Sequence, residues 1–383
     1  MTGSSTSTLL RPVEEADLPA ALAAALDGGA PVAPLPPEPV ERARALRALR
    51  LDAPADADAA VVVLSSGSTG DPKAVVLSAA AIRAGAEATH ARLGGPGHWL
   101  LPLPRHYVAG LMVLGRAHLA GSTVVPLARD LSDLPGLSLP AGRRYLSVVP
   151  TQLVRALANP ALVEALARLD AVLVGGGATD PALLARARAA GIPCVTTYGM
   201  SETCGGCVYD GVPLDGVGVS IGEDDRISVA GPVLFSGYRG RPDLTAEVLE
   251  SGWFRTGDLG GWVTDLDGTR RLDVAGRVDD VVVSGGHNVD LAAVERRALA
   301  WPERGVAEVV VIGVPHPEWG VEVVAVADAS LSYDDLRAWV RAELPAYAAP
   351  RRLVVLDRLP RTSSGKVDRR RLQTDLTDPE DAR

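Results

Sequence analysis

The sequence predicts an α/β fold: a large layered N-terminal domain with mixed and parallel sheets and a β-rich subdomain, then a small α+β C-terminal domain. Three observations carry this expectation. Between about 58 and 200 short apolar runs alternate with Ala/Leu/Arg-rich runs, the rhythm of a largely parallel sheet with helices packed on it. From about 211 to 275 the pattern changes to short strands and Gly/Asp turns, which marks a separate β-rich unit. Beyond GRVDD (276–280) strands and helices mix again. The expected domains are therefore residues 1–276 and 277–383.

The elements follow in order. After a polar start, GGAPVAPLPPEPV (28–40) reads as a Pro-rich loop and VERARALRALR as a helix. DAAVVVLSS and KAVVLS are short Val-rich runs and read as strands flanking a loop. The alternation then continues through AAAIRAGAEATHARL, WLLPLP, GLMVLGRAHLA, STVVPL, YLSVV, ALVEALARL, AVLVGG, PALLARARAAG and PCVTTYG. In the C-terminal part VAEVVVIGV, VEVVAVAD and LRAWVRAEL supply two strands and a helix. The last ten residues, TDLTDPEDAR, are polar and are expected to be disordered. No internal repeat is evident.

A chain of 383 residues can bury a large core. Its net charge of −9 speaks against a nucleic-acid or anionic-membrane surface. The N-terminal MTGSSTSTLLRPVEEADLPA lacks a basic start and an apolar core, and no uncharged apolar stretch approaches the ~18 residues of a membrane span. A cytoplasmic location is expected. The three cysteines fit a reducing compartment. Cys204 and Cys207 have CxxC spacing, but no second pair completes a tetrahedral zinc site.

The strongest local signal is SSGSTGDPKAV (65–75). Ser65, Ser66, Gly67, Ser68, Thr69 and Gly70 offer backbone N–H groups and hydroxyls with little bulk, and Lys73 adds a point charge. Such a loop suits a phosphate. It is not a Walker A loop, because Pro72 precedes the lysine and Ala74 follows it. Of 38 basic residues only Lys73 and Lys366 are lysines. Both sit in Gly/Ser-rich loops, where a compact ammonium can enter a narrow space between oxygen-bearing groups.

Further constellations lie at expected strand ends. VGGGATD (174–180) presents bare backbone at Gly176 and Gly177, able to edge a planar base or simply to turn the chain. YGMSET (198–203) follows an apolar strand, where open α/β sheets bind ligands. There Tyr198 could cover a base, Ser201 donate to phosphate and Glu202 hold Mg²⁺, which favours a carboxylate plus substrate phosphates. The alternative is a solvated turn. In WFRTGDLG (253–260) Asp258 could accept from a ribose diol, although an Asp in a turn is commonly only a turn residue. GRVDDVVVSGGHNV (276–289) puts Arg277 and Asp279 at the domain boundary, followed by the loop Ser284, Gly285, Gly286; PRTSSGKVDRR carries Lys366 on a second loop.

Taken together, these motifs resemble the acyl-adenylate-forming superfamily, over roughly residues 55 to 370. SSGSTGDPK is similar to its phosphate loop, YGMSET to its Tyr-Gly-x-Thr-Glu motif with Ser201 for Thr, and RTGD to its ribose-binding turn. GRVDD with SGG resembles the hinge and thiol tunnel, and SSGK the mobile catalytic lysine. The resemblance implies ATP, Mg²⁺ and coenzyme A. Attack of a carboxylate on the α-phosphate would give an acyl adenylate, with Lys366 neutralising the two anionic groups as they close. Lys73 and the loop hydroxyls would grip the β,γ-phosphates, and Glu202 would hold Mg²⁺. Arg277 and Asp258 would fix the ribose. A swing about Asp279 would then remove Lys366 and bring Gly285 and Gly286 to the pantetheine path.

Amino-acid-activating relatives carry an Asp in the acid pocket. The corresponding LPLPRHYVAGLMVL has none and offers Arg105, His106 and Tyr107. These suit an aromatic acid, with a second carboxylate paired to Arg105 or polarised by His106. The short N-terminal part and this stretch resemble the actinobacterial o-succinylbenzoate–CoA ligases of menaquinone synthesis, except that the pocket histidine of those enzymes falls on Tyr107 here, with His106 beside it. The expected partners are a small-molecule acid and no nucleic acid or membrane, and a homodimer is an assembly the reading allows. A stand-alone enzyme loading a carrier protein would share every nucleotide motif. A non-catalytic relative would have lost Lys366 or Glu202.

Overall fold

The computed structural model describes residues 8–65, 72–305, 307–362 and 365–377. Among the described residues the strands form four sheets. The first joins Arg11–Val13, Val32–Pro34, Ala59–Ser65, Lys73–Ser78 and Gly237–Tyr238 in that order. Ala59–Ser65 and Lys73–Ser78 are antiparallel neighbours with Ser65 opposite Lys73, so the phosphate-type loop does join two strands. Its expected binding residues Ser66, Gly67, Ser68, Thr69 and Gly70 lie outside the described residues.

The second sheet has seven strands in the order Val212–Pro213, Gly205–Tyr209, Cys194–Met200, Ala171–Val174, Arg144–Val148, His98–Leu101, Val124–Pro126. From Cys194–Met200 outward to Val124–Pro126 every pairing is parallel. Helices Ala79–Arg92 and Val108–Leu119 pack in the layer where the first two sheets meet. Ser78 caps the former by accepting from the Ala81 amide. One core unites Val61, Val63, Val75 and Leu77 of the first sheet with Ile82, Leu111 and Met112 of the helices and Trp99, Tyr145 and Leu173 of the second sheet. Each such large apolar side chain contributes roughly 1.5–3 kcal/mol on burial. Val62 points the other way, toward Ala45 and Leu49 of helix Pro39–Leu49. Burial on both faces explains why the strand reads as an unbroken apolar run.

A polar knot sits inside this layer. His90, Thr89 and Arg116 are buried; Thr89 Oγ1 lies 3.1 Å from the Tyr209 hydroxyl, and Trp99 Nε1 donates to His90 Nε2 at 3.4 Å. Burial and the nearby Arg116 lower the His90 pKa to about 4. Because the folded value lies below the unfolded one near ~6.5, neutral His90 favours folding above that pH, and the contribution is lost as pH falls toward 4. The melting temperature of His90→Gln should therefore fall less steeply between pH 7 and 4.5 than that of wild type in calorimetry.

The third sheet, Gly218–Ile221, Arg226–Ala230 and Trp253–Thr264 with Leu249–Glu250 and Arg270–Arg277, is the expected β-rich unit. It ends at Arg277; a 3₁₀ turn, Val278–Asp280, leads into the fourth sheet at Val281. That sheet runs His287–Asp290, Val281–Ser284, Gly320–Ala327, Val309–His316, with Arg352–Val355 parallel to Gly320–Ala327. Leu291–Leu299 and Tyr333–Arg341 cover one face, Arg369–Thr377 the other.

Two expectations fail. The Pro-rich 28–40 segment contains the strand Val32–Pro34, paired in parallel with Arg11–Val13; three buried residues suffice because neighbouring strands take up their backbone groups. Residues 374–377 are not disordered but extend the final helix, whose Leu372 is buried against the fourth sheet. No described helix is long and apolar enough to cross a membrane.

Candidate active site

The site lies at the carboxyl edge of the seven-stranded sheet, between it and the third and fourth sheets. Strand Cys194–Met200 delivers Tyr198, whose hydroxyl donates to Asp258 Oδ2 at 2.8 Å. Arg277 donates to the other oxygen, Oδ1, also at 2.8 Å. The register explains the second contact, since Asp258 and Arg277 are paired across their hairpin. Asp258 is 7% exposed while Arg277 remains open to solvent, so a buried acceptor is held under an accessible cation. Burial and the adjacent Asp258 carboxylate raise the Tyr198 pKa, keeping its proton in place as a donor. Tyr198 thus anchors Asp258 through its hydroxyl.

The 3₁₀ turn Ser201–Thr203 places Glu202 in the interior, 8% exposed. The Tyr238 hydroxyl donates to its Oε1 at 2.9 Å. Desolvation raises the Glu202 pKa, against hydrogen bonds from Tyr238 and attraction from Lys73 and Arg277. The Lys73 ammonium stands over the Tyr238 ring, 5.2 Å from its centre. Lys73, Tyr238 and Glu202 therefore form one unit, held because Gly237–Tyr238 pairs with Val75 and Val76 on the strand that Lys73 opens. Tyr238 escapes sequence reasoning: a two-residue strand has no periodicity. Tyr238→Phe keeps the ring beneath Lys73 but frees Glu202, and should lower the rate of any Mg·ATP-dependent step about tenfold, the worth of a hydrogen bond to a buried charge; a stopped assay of pyrophosphate release checks it.

Lys366 enters from the fourth-sheet side. Its loop is braced by the Thr362 amide donating to the Lys366 carbonyl at 2.8 Å and by Arg361 donating to the Gly365 carbonyl at 3.0 Å. The side chain reaches the VGGGATD turn: a Cβ built on Gly176 would lie 3.7 Å from Lys366 Cε. Gly176 has φ +80°, so a side chain there would be strained as well as crowding the lysine. Lys366 remains exposed to solvent. The surrounding walls lower its pKa, Arg277 lowers it further, and Asp258 opposes both. Gly177 lies exposed beside Gly176.

Arg105 and His106 gather around Glu15. The Arg105 amide donates to Glu15 Oε1 at 2.8 Å, its guanidinium to the Glu15 carbonyl at 3.3 Å, and His106 Nδ1 lies 3.3 Å from Oε1. The His106 ring packs on Tyr107, 4.3 Å between centres, and its buried Nε2 has no partner. Burial lowers the His106 pKa against the opposing pull of Glu15. On the helix Val108–Leu119 that follows, Arg116 is 4% exposed; its Nη2 donates to the Tyr209 hydroxyl at 3.5 Å and its guanidinium lies 5.0 Å from the Trp99 ring centre, while Nε is unpaired and no carboxylate is paired to it among the described residues. It lies one turn beyond Met112, which packs against Gly85 and Gly205, and its charge is felt at Cys204 just behind the Glu202 turn. The sequence signal for Arg116 is hidden among many arginines.

The Ser284–His287 pair closes a two-residue turn in which Gly285 (φ +56°) and Gly286 (φ +80°) are both left-handed, as a tight hairpin requires. Both glycines are exposed, whereas Ser284 is buried with an unpaired hydroxyl. Asp279 sits in the 3₁₀ turn 3.7 Å from Arg277. Cys204 and Cys207 are free and buried, and burial pushes their thiols up to about 12, so they stay protonated at neutral pH.

Arg277 over the buried Asp258, Glu202 beside Lys73, and Lys366 arriving from the fourth-sheet side gather at one edge of the seven-stranded sheet. The family model for AMP-binding enzymes matches residues 8–238 and that for the AMP-binding enzyme C-terminal domain residues 294–366; the chain belongs to the AMP-binding enzyme family. It is 46% identical over 332 residues to a probable 2-succinylbenzoate–CoA ligase from Mycobacterium tuberculosis, covering 84% of this chain and 85% of that one. It is 34% identical to a feruloyl-CoA synthase from Amycolatopsis, over 81% of this chain and 68% of the relative. Among solved structures, o-succinylbenzoate CoA synthetase from Bacillus subtilis in complex with its acyl-adenylate intermediate superposes with a TM-score of 0.71 at 27% identity, covering 93% of this chain and 80% of the other.

Proposed function

We propose that this protein is a cytoplasmic, ATP-dependent acid–CoA ligase that converts 2-succinylbenzoate to 2-succinylbenzoyl-CoA through an acyl adenylate. The observation that carries the chemistry is the position of Lys366 against Gly176, beside Arg277 and Asp258. A carboxylate oxygen attacks the α-phosphorus of ATP, the bond to the β-phosphate oxygen breaks, and pyrophosphate leaves. Two anionic groups must approach for that to happen, and the ammonium lowers their repulsion in a partly desolvated cleft. The thiol sulfur of CoA then attacks the acyl carbon, and AMP departs with the bonding electrons.

In this reading Arg277 and Asp258 hold the ribose, Gly176 and Gly177 edge the adenine, and Tyr198 orients Asp258. Lys73, Ser65, Ser201 and the loop residues Ser66 to Gly70 take the phosphates. Glu202 has one oxygen engaged by Tyr238, which leaves the other to a cation; no group of three metal-ligating side chains occurs among the described residues. That donor set fits Mg²⁺ arriving on ATP. Bound there, Mg²⁺ would supply positive charge to the phosphates and favour the ionised carboxylate. The chain divides at 276/277, with Asp279 as hinge, so that Ser284, Gly285 and Gly286 line the thiol path in the second step.

The acid is assigned from the relatives and from charge. His106 and Arg116 are buried nitrogen donors without full partners, and a buried guanidinium facing no carboxylate is costly unless a ligand anion reaches it. A second carboxylate meets that need. Arg105 and Tyr107, on either side of His106 in sequence, belong to the same acid-binding stretch in this reading. Pyrophosphate release should be measured with 2-succinylbenzoate, benzoate, ferulate and aliphatic acids, with and without CoA. Turnover of another acid but not 2-succinylbenzoate rejects the substrate, and no release with any acid rejects the chemistry.

A further inference from the structure

Between the two lobes lies an ion pair that none of the roles above uses. Arg304, at the end of the 3₁₀ turn Pro302–Arg304, donates Nη2 to Asp180 Oδ2 at 2.8 Å. Both side chains are largely shielded, at 16% and 17% exposure. Neither end is free to wander. The Arg304 guanidinium also donates to the Leu299 carbonyl and, at 2.8 Å, to the Ala307 carbonyl. The other oxygen of Asp180 accepts from the Ala182 amide at 2.8 Å and caps helix Pro181–Ala189. Two preorganised groups in a water-poor contact couple far more strongly than a surface pair.

Asp180 closes the same VGGGATD turn whose Gly176 meets Lys366. The C-terminal lobe therefore touches this turn at two separated points, one through Lys366 and one through Arg304. Two points fix an orientation where one leaves it free to pivot. We infer that Arg304–Asp180 is a docking pin that sets the orientation of the C-terminal lobe and so positions Lys366 for the step in which carboxylate and α-phosphate meet. The thiol step does not need Lys366 between those groups, because the phosphate is by then the leaving group, and the pin has no part in it.

This inference rests on the proposed chemistry, and the test separates the two. Asp180→Asn retains an amide oxygen to cap Ala182 but removes the charge. With the acid that wild type turns over, Asp180→Asn should slow pyrophosphate release about tenfold, within the range measured for coupled contacting pairs, while thioester formation from a supplied acyl adenylate stays within about twofold of wild type. Arg304→Gln should do the same, and the double variant should be no slower than either single one. Arg304→Lys should recover part of the rate. Hydrogen exchange of the substrate-free protein should rise at 175–182 in Asp180→Asn, a readout that needs no turnover. Equal loss in both half-reactions, additive losses in the double variant, or unchanged exchange with unchanged rates would overturn the pin. Wild type forming no adenylate with any acid would instead reject the underlying chemistry.

Discussion

Lys366→Ala should abolish pyrophosphate release from ATP and acid, by about 10²–10³-fold or more, the loss expected when one preorganised group aimed at developing charge is removed. Thioester formation from a supplied acyl adenylate should survive. The asymmetry follows from where the ammonium stands, against the Gly176 turn with Arg277 and Asp258 beside it. Quench-flow measurement of each half-reaction decides the matter; equal loss in both would make the lysine a structural strut. The pH profile adds a second check. Lys366 must be protonated to act, and the cleft walls and Arg277 lower its pKa below the ordinary lysine value near ~10.4. Adenylation kcat/KM should consequently decline on the alkaline side before an ordinary lysine would titrate.

Arg116→Met should reduce kcat/KM for 2-succinylbenzoate by roughly 10², the scale of losing one partner of a buried charge pair. For a mono-acid of similar shape, such as benzoate, the change should be small. A buried cation with an unpaired Nε tolerates replacement by a long apolar side chain, and removing it deletes a desolvation cost. The variant should therefore melt at or above the wild-type temperature. A parallel fall with both acids would show that Arg116 supports the fold of the Glu202 turn instead of reading the substrate.

The sequence made the layers legible because Val-rich runs such as residues 61–64 are buried on both faces, and such strands need no alternation to be recognised. The motif residues Tyr198, Glu202, Asp258, Arg277 and Lys366 could be found because each lies in or next to a run of conspicuous glycines and hydroxyls, although Asp258, expected in a turn, lies within the strand Trp253–Thr264. Their partnerships could not. That Tyr198 serves Asp258 depends on strands 60 residues apart, and nothing local in either segment encodes the distance. Tyr238 and Arg116 were invisible for a related reason: one occupies a strand too short to show a period, the other is one arginine in an arginine-rich chain. The Val32–Pro34 strand hid among prolines because its pairing depends on Arg11–Val13, far away in sequence.

The scarcity of lysine has a practical corollary. The only two side-chain amines in the sequence, Lys73 and Lys366, stand on the Glu202 and Gly176 sides of one cleft. An amine-directed label, ordinarily scattered over a protein's exterior, has here only these two side chains besides an α-amino group: its uptake at Lys73 and Lys366 reports occupancy of the cleft, and nucleotide should shield both targets at once.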